Sequence, residues 1–372
     1  MKRICSLFLA LLTLLSVLAS VSCSGKNKPP QGTATAPGNS TETDGSGDDY
    51  DLNRFKNLDL GGATAVHLMS RAHVRHANEL TCDDSTDEVL HAIYARQLWV
   101  EETLGVKILN EKVDGTDEHG GRERIQTLIN SNDETYDLYA SSYYGSSHLA
   151  VNGLYRDLYD TPNLDPDRSY WSQYFTEKSQ IGSKLYMITG DAAISATRFL
   201  FVTFFNKALV AQYQTENPFQ LVYDGEWTYD KMYSIVRDIW VDTDSSGDAS
   251  EGDTYGLGVN NYLGVDAYTS AFDLMCVTIN EQKQASLSVD SVKYGDAVNK
   301  LYELFWKTPG VLNKQDPDGI AKVFAENRLL FSQSWLYNVE SLELRNMTNS
   351  YGIIPYPKYD GAQKDYYSFG HD

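Results

Sequence analysis

Apolar positions along this chain follow two spacings, one typical of short strands and one typical of helices. Residues 65–69 form a short apolar run that predicts a strand. Residues 89–104 then repeat apolar side chains every three to four positions, which predicts a helix with one buried face. Ser85 and Glu88 fit a capping box at the start of this helix, and Gly105 is a natural stop at its end.

The pattern continues with strands at 106–109 and 136–140 and a helix around 125–129. Strand and helix in alternation predict an α/β fold with a parallel sheet and right-handed crossovers. Ligands of such sheets lie beyond the carboxyl ends of the strands. The side chains that we expect at this edge are Arg71, Tyr143 and Tyr144.

The second half of the chain repeats the alternation. Thr228 is a predicted cap for a helix over 229–240, and 292–306 is amphipathic at helical spacing. The remaining elements are a short helix at 320–326 and strands at 199–205, 255–259, 329–333 and 351–354.

The first residues predict secretion. Lys2 and Arg3 precede an apolar run over 4–18, which is typical of a signal peptide, here 1–22. Cys23 follows small residues, as in the bacterial lipobox, so we expect a lipid on its thiol, although Ser20 stands where Leu is usual. Residues 23–54 are polar and predict a flexible linker. The protein is then lipid-anchored outside the cytoplasm; ordinary cleavage and an uncleaved anchor are the alternatives.

Composition limits the partners. The 372 residues carry 31 Lys+Arg against 51 Asp+Glu, a net charge of −20, and no basic run, which argues against a nucleic-acid partner. A hydrophobic fraction of 42% is enough for sizeable cores. Beyond the leader, Cys82 and Cys276 could form a disulfide or remain free thiols.

Four stretches resemble a known family when they are taken in order. They are residues 182–186, 204–207 (FFNK), 224–230 (DGEWTYD), and 324–331 together with 351–358 (YGIIPYPK). Together they are similar to the extracellular solute-binding proteins of ABC importers, in the carbohydrate-binding branch related to maltose-binding protein.

The resemblance implies a two-lobe, type II periplasmic-binding-protein-like fold with a hinge between the lobes. Lobe 1 is expected at 55–188 and 328–372, and lobe 2 at 189–327. Family members continue past the segment that ends at 358, so we expect a truncated C-terminus. The implied function is capture of a carbohydrate, expected to be an oligosaccharide, by hinge closure of a monomer. The monomer delivers the carbohydrate to the transmembrane permease and performs no bond chemistry.

An acidic loop suggests a metal. Residues 242–253 follow the register of an EF-hand loop, with oxygen donors at alternate positions and Gly247 at the tight turn. We expect a structural Ca²⁺, and the alternative is a solvated acidic turn. The predicted ligands are Asp242, Asp244, Ser246, Asp248, Ser250 and Asp253. Zinc held by His73 and His76 is a further alternative.

Aromatic side chains are candidate platforms for a sugar, because a sugar ring stacks on Trp or Tyr while a few polar groups fix its hydroxyls. The predicted ligand-binding residues are Arg71, Tyr143, Tyr144, Asp191, Trp335 and Tyr337. No GxSxG, Walker or GxGxxG motif is present, so we expect no enzyme. A secreted carbohydrate-active hydrolase and a calcium-dependent surface adhesin remain the alternatives.

Overall fold

The structure is a computed structural model and describes residues 55, 58–73, 77–113, 121–280 and 284–370. The predicted signal peptide 1–22, the lipidation site Cys23 and the linker 23–54 lie outside the described residues, as does His76. The chain divides into two compact units, one extending to Ala196 and one spanning Thr197–His371.

The first unit is built on a three-stranded parallel sheet. Its strands are β1 (Ala65–Arg71), β2 (Lys107–Val113) and β3 (Leu138–Ala140), in the order β2-β1-β3. Both pairs are parallel, and Ser70 stands opposite Ala140. The predicted parallel sheet is confirmed, and the carboxyl ends of β1 and β3 lie at the same edge.

Helices connect these strands and cover the sheet. They are α1 (Glu88–Leu104), α2 (Arg122–Asn130), α3 (Tyr143–Val151) and α4 (Gln173–Lys178), with a short 3-10 turn at Leu158–Asp160 and α5 (Ser195–Arg198) at the unit boundary. Val66 belongs to one buried cluster and Met69 to another. Because side chains alternate along a strand, these two clusters occupy opposite faces of the sheet.

The first turn of α1 differs from its prediction. Asp87, not Ser85, is the N-cap, and its carboxylate accepts hydrogen bonds from the backbone of Val89 at 3.0 Å and Leu90 at 3.1 Å. The predicted capping box was therefore placed too early. The predicted stop is confirmed, because Gly105 has φ 65° and its N–H bonds to the carbonyl of Glu101.

The second unit contains a six-stranded mixed sheet. Its strands are β4 (Phe201–Asn206), β5 (Trp240–Val241), β6 (Thr254–Asn260), β9 (Val311–Lys314), β10 (Leu329–Trp335) and β11 (Tyr351–Ile354), and a separate hairpin pairs β7 (Val277–Ile279) with β8 (Ala285–Leu287). The order is β11-β4-β10-β6-β5, and β9 also pairs with β6. Strands β6, β9 and β10 are parallel, so their carboxyl ends share one edge.

The position of β10 corrects the predicted lobe boundaries. Residues 328–372 were assigned to lobe 1, but β10 lies in the second unit, where it pairs with β4 on one side and β6 on the other. All seven of its residues are buried, so the strand is central to that sheet. β11 pairs with β4 in the same sheet. Residues 189–196, assigned to lobe 2, belong to the first unit.

The helices of the second unit are α6 (Lys207–Gln212), α7 (Pro218–Tyr223), α8 (Tyr229–Val236), α9 (Leu263–Ala271), α10 (Ser291–Trp306), α11 (Pro317–Ala325) and α12 (Leu342–Arg345), with a 3-10 segment at Leu336–Glu340. Thr228 caps α8 as predicted, accepting a bond from the backbone of Lys231. The helix ends earlier than expected, because Trp240 pairs with Tyr255 as a strand residue.

Candidate functional site

The carboxyl edge of the first sheet presents three of the predicted ligand residues. Arg71 ends β1, and Tyr143 and Tyr144 open α3 directly after β3. The short connection is possible because the Ser142 side chain caps α3, accepting a hydrogen bond from the backbone of Gly145 at 3.1 Å. The strand register places Arg71 and these tyrosines at one edge, as the sequence predicted.

The two tyrosines differ in their exposure. Tyr144 is 68% exposed, whereas Tyr143 is 43% exposed and packs edge-on against Phe175 with ring centroids 5.1 Å apart. Tyr144 therefore offers the more accessible ring for stacking. Tyr143 combines an exposed portion with a contact that holds its ring in place.

Arg71 adds a positive charge close to this edge. Its side chain is buried at 8% exposure. Burial raises the pKa of Tyr139, while the positive charges of Arg71 and Arg122 act in the opposite direction, so both guanidinium groups lie near the Tyr139 hydroxyl. Hydroxyl and guanidinium groups of this kind donate hydrogen bonds to ligand oxygens.

Asp191 lies on a different segment of the first unit. It follows the bridge between Trp171 and Gly190, and its backbone N–H donates to the carbonyl of Tyr170 at 2.9 Å. Desolvation raises the pKa of its carboxyl group. The role of Asp191 in ligand binding stays a prediction.

Trp335 and Tyr337 belong to the core of the second unit. Trp335 is 5% exposed, and its ring makes edge contacts with Phe199 and Phe201 at centroid distances of 5.7 and 5.8 Å. Tyr337 is half-buried and stacks on the same Phe199 ring at 5.7 Å. Four aromatic side chains thus pack together at the end of β10, and little of the Trp335 ring is accessible for the predicted contact with a sugar.

One exposed aromatic residue at the corresponding edge was missed in the sequence. Tyr262 follows the carboxyl end of β6, is 61% exposed and directly precedes α9. The Asn260 side chain organises this turn, accepting hydrogen bonds from the backbone of Tyr262 at 3.1 Å and Leu263 at 2.8 Å. The signal was available, since Tyr262 comes three residues after the end of the predicted strand 255–259.

The acidic loop brings three carboxylates together. One carboxylate oxygen from each of Asp242, Asp244 and Asp253 lies within 4.8 Å of the others. Asp253 is fully buried and accepts hydrogen bonds from the backbone of Ser250 at 2.9 Å and of Thr243 at 3.0 Å. Asp242 accepts from the backbone N–H of Gly247 at 3.0 Å.

The donor chemistry of this loop fits a hard cation. Hydrogen bonds from Ser250 and Ser246 lower the pKa of Asp244 to about 2, so its carboxylate is charged at neutral pH. Carboxylate oxygens are ligands that Ca²⁺ prefers, and three like charges so close favour a bound cation. The loop also has little spare room, because a Cβ on Gly252 would lie 2.3 Å from a carboxylate oxygen of Asp244.

Two predicted metal ligands have other positions. Asp248 is not in the group of converging carboxylates, and Ser246 donates from Oγ to the Asp248 backbone carbonyl at 2.9 Å. Ser250 lies close to the group, because its Oγ donates to Asp244. Within the described ranges, no other group of three or more His, Cys, Asp or Glu side chains is close enough to share a metal ion. Cys82 and Cys276 are both free thiols.

Comparison with known proteins separates sequence likeness from structural likeness. No family model matches the chain, and no curated protein matches it. Solved structures do match. An ABC substrate-binding protein from Listeria monocytogenes, in complex with cycloalternan, has a TM-score of 0.52 at 12% identity, covering 81% of this chain and 68% of its own.

Two further structures match equally well. The galacto-N-biose-/lacto-N-biose I-binding protein of an ABC transporter from Bifidobacterium longum, in complex with lacto-N-biose, has a TM-score of 0.52 at 15% identity, covering 84% of this chain and 70% of its own. An ABC transporter solute-binding protein from Thermotoga lettingae, bound with α-D-tagatose, has a TM-score of 0.52 at 14% identity, covering 82% and 70%.

These likenesses concern the arrangement of the backbone, because identities of 12–15% leave few shared side chains. In the part of the chain that the structure describes, no helix is both long and apolar enough to cross a membrane. The expected fold is confirmed: this chain has the α/β fold of the solute-binding proteins of ABC transporters.

Proposed function

We propose that this protein binds a carbohydrate for an ABC importer and performs no bond chemistry itself. The observation that carries the proposal is the likeness of its fold to three solute-binding structures with cycloalternan, lacto-N-biose and tagatose bound. Sugar-binding sites need exposed aromatic rings beside polar groups. Tyr144 and Tyr262 provide exposed rings at the carboxyl edges of the two sheets, and Arg71 ends β1 at the same edge as Tyr144.

The proposal is tested by thermal-shift measurements on the full chain with lacto-N-biose, tagatose, cycloalternan, and maltose through maltotetraose. We expect at least one saccharide to raise the melting temperature, because a ligand that binds the folded state stabilises it. We also expect Tyr144→Ala to weaken that saccharide about tenfold in isothermal titration, which corresponds to about 1.4 kcal/mol.

The matched control is Tyr174→Ala, since Tyr174 lies on α4 and is 63% exposed. The Tyr174→Ala variant should bind the saccharide with the same affinity as the unmodified chain. Equal losses in both variants would contradict a stacking role for Tyr144. If no saccharide changes the melting temperature, the proposed function is wrong. Release of cleavage products would instead favour a hydrolase, and binding of a protein partner without any small ligand would favour an adhesin.

We also propose that Asp242, Asp244 and Asp253 hold a structural Ca²⁺, with Ser250 near the ion. Support comes from the convergence of the three carboxylates and the low pKa of Asp244. The loop joins β5 to β6, so a bound cation would tie together two strands of one sheet. The ion would stabilise the fold and would take part in no reaction.

The cellular setting is likewise a proposal. A signal peptide followed by a lipidated Cys23 would hold a monomer at the outer face of the membrane, next to the permease subunits that take up the sugar. Mass spectrometry of the purified cellular protein tests this assignment. A mature N-terminus at Cys23 with a diacylglycerol adduct is expected, whereas an unmodified or uncleaved N-terminus would contradict it.

A further inference from the structure

Two arginines lie at the carboxyl edge of the first sheet, and Arg71 is the one that the sheet itself carries. Met69 and Tyr139 stand opposite each other in the parallel register of β1 and β3, and both belong to one apolar cluster, so their side chains share a face of the sheet. Arg71 follows Met69 by two residues on β1. Because side chains alternate along a strand, Arg71 lies on that same face, nearer the carboxyl edge.

The start of α2 lies against Tyr139 and carries the second arginine. A Cβ atom on Gly121, the residue before α2, would lie 3.3 Å from the Tyr139 ring and 3.7 Å from its hydroxyl oxygen. Gly121 has φ 76°, a conformation that suits glycine, so the chain can pass close to the ring. Arg122 is the first residue of α2, and its side chain is 24% exposed. The helix start therefore brings Arg122 to the face that carries Arg71 and Tyr139.

The environment of the Tyr139 hydroxyl is positively charged. Burial raises the pKa of Tyr139, and the positive charges of Arg71 and Arg122 act against that rise. Among the described residues, these are the two charges that affect this hydroxyl most strongly. The ion pair of Arg122 with Glu123 is 4.0 Å long and the Glu123 side chain is 88% exposed, so this pair neutralises little of the charge. In a chain with 51 acidic and 31 basic side chains, a positive site is a local exception.

Hydroxyl groups add further donors at this position. The side chains of Ser141, directly after β3, and Ser146, on α3, form hydrogen bonds with the Tyr139 hydroxyl. Guanidinium groups bind carboxylates and phosphates through paired hydrogen bonds, and such charge-assisted bonds are roughly twice as strong as neutral ones. Two guanidinium groups beside several hydroxyls therefore match an oxyanion better than they match an uncharged sugar hydroxyl.

We propose that Arg71 and Arg122 bind the acidic group of an anionic saccharide, either the carboxylate of a uronate or the phosphate of a sugar ester, at the carboxyl edge of the first sheet. The inference rests on the proposed function, because it needs a saccharide at this edge. It adds that the ligand is charged and that these two arginines select it over the neutral sugar with the same ring. Arg122 is the more accessible of the two, since Arg71 is 8% exposed.

The test is isothermal titration of the full chain with sugars that differ only at C6. The sets are galacturonate, galactose 6-phosphate and galactose, the corresponding forms of glucose and mannose, and α-1,4-digalacturonate with α-1,4-galactobiose. In at least one set we expect an acidic sugar to bind at least tenfold more tightly than its neutral counterpart, and the uronate and phosphate arms identify the acidic group. Raising NaCl from ~50 to ~500 mM should weaken binding of the acidic sugar and leave the neutral sugar unchanged, because salt screens charges.

A charge-removing variant assigns the preference to this site. Arg122→Gln should reduce the ratio of neutral to acidic Kd values at least fivefold. Arg345→Gln is the matched control, because Arg345 is an exposed arginine of α12 in the second unit, and it should keep the ratio. Melting temperatures of the ligand-free variants establish that they fold. If Arg122→Gln does not fold, the salt dependence of the unmodified chain decides.

The possible failures are distinguishable. If no saccharide binds, neutral or acidic, the proposed function and this inference are both wrong. If neutral sugars bind and no acidic counterpart binds more tightly, the function stands and the anion site is wrong. The anion site is also wrong if Arg122→Gln keeps the tenfold ratio, or if salt leaves the binding of the acidic sugar unchanged.

Discussion

At the residue scale, Trp335 was predicted to contact the ligand, and the structure places it in the core of the second unit. A tryptophan after a strand in this family-like segment suggested a sugar platform, but its ring is enclosed by Phe199 and Phe201 at the end of β10. Burial of a large ring in a close-packed interior contributes to folding stability. Replacing the Trp335 ring should therefore lower the free energy of unfolding.

We therefore expect Trp335→Ala to lower the free energy of unfolding by about 3–5 kcal/mol, the range for replacing a buried Phe or Trp by Ala. Urea denaturation followed by circular dichroism measures the change. Trp306→Ala is the matched control, because Trp306 is 52% exposed on α10, and it should change stability by about 0.5 kcal/mol or less. Similar effects of the two substitutions would contradict the core assignment of Trp335.

The acidity of Asp244 provides a second test at this scale. Hydrogen bonds from Ser250 and Ser246 lower the pKa of this carboxyl group to about 2 in the folded protein, from an ordinary value of 3.8. A lowered pKa stabilises the fold above the unfolded pKa, and this stabilisation is lost as the pH falls towards the folded pKa.

We expect Asp244→Asn to be less stable than the unmodified chain at pH 7 in the presence of chelator, with the difference shrinking between about pH 4 and pH 2. Urea denaturation at pH 7, 4 and 2.5 measures this dependence. A difference that stays constant over this range would show that the carboxylate charge of Asp244 contributes nothing to the effect.

At the scale of elements, periodicity located the strands and helices well, and their ends less well. The helix α1 and its stop at Gly105 could be predicted, because spacing and the left-handed preference of glycine are local properties. The end of α8 could not be predicted, because Trp240 forms a strand that pairs with Tyr255. A partner in a later segment overrides local helical spacing.

The loop between β5 and β6 is the element with the clearest test. We expect millimolar Ca²⁺ to raise the melting temperature of the full chain, because the ion would bind only the folded arrangement of the carboxylates. Asp253→Asn should abolish the rise. Asp238→Asn is the control, since Asp238 is a nearby exposed carboxylate outside the converging group, and it should keep the rise. An unchanged melting curve on adding Ca²⁺, or after EGTA, would contradict the calcium proposal.

At the scale of the whole molecule, the division into units depended on strand pairing. Residues 328–372 were expected in the first lobe, yet β10 pairs with β4 and β6 of the second unit. Phe331 stands opposite Phe205 across more than a hundred residues of chain. All seven residues of β10 are buried, which makes the strand central, but its sequence does not indicate which strands it pairs with.

The sequence alone determined the α/β alternation and the acidic loop, because both depend on the spacing of residues that are close along the chain. It also determined the parallel sheet with Arg71 and the two tyrosines at its carboxyl edge, because the carboxyl ends of parallel strands lie at the same edge. The tertiary structure decided which strands share a sheet, that Trp335 is buried, and that Tyr262 is exposed at the carboxyl end of β6. These features depend on contacts between distant segments, and such contacts are set by the packing of complementary surfaces and leave no periodic trace in the sequence.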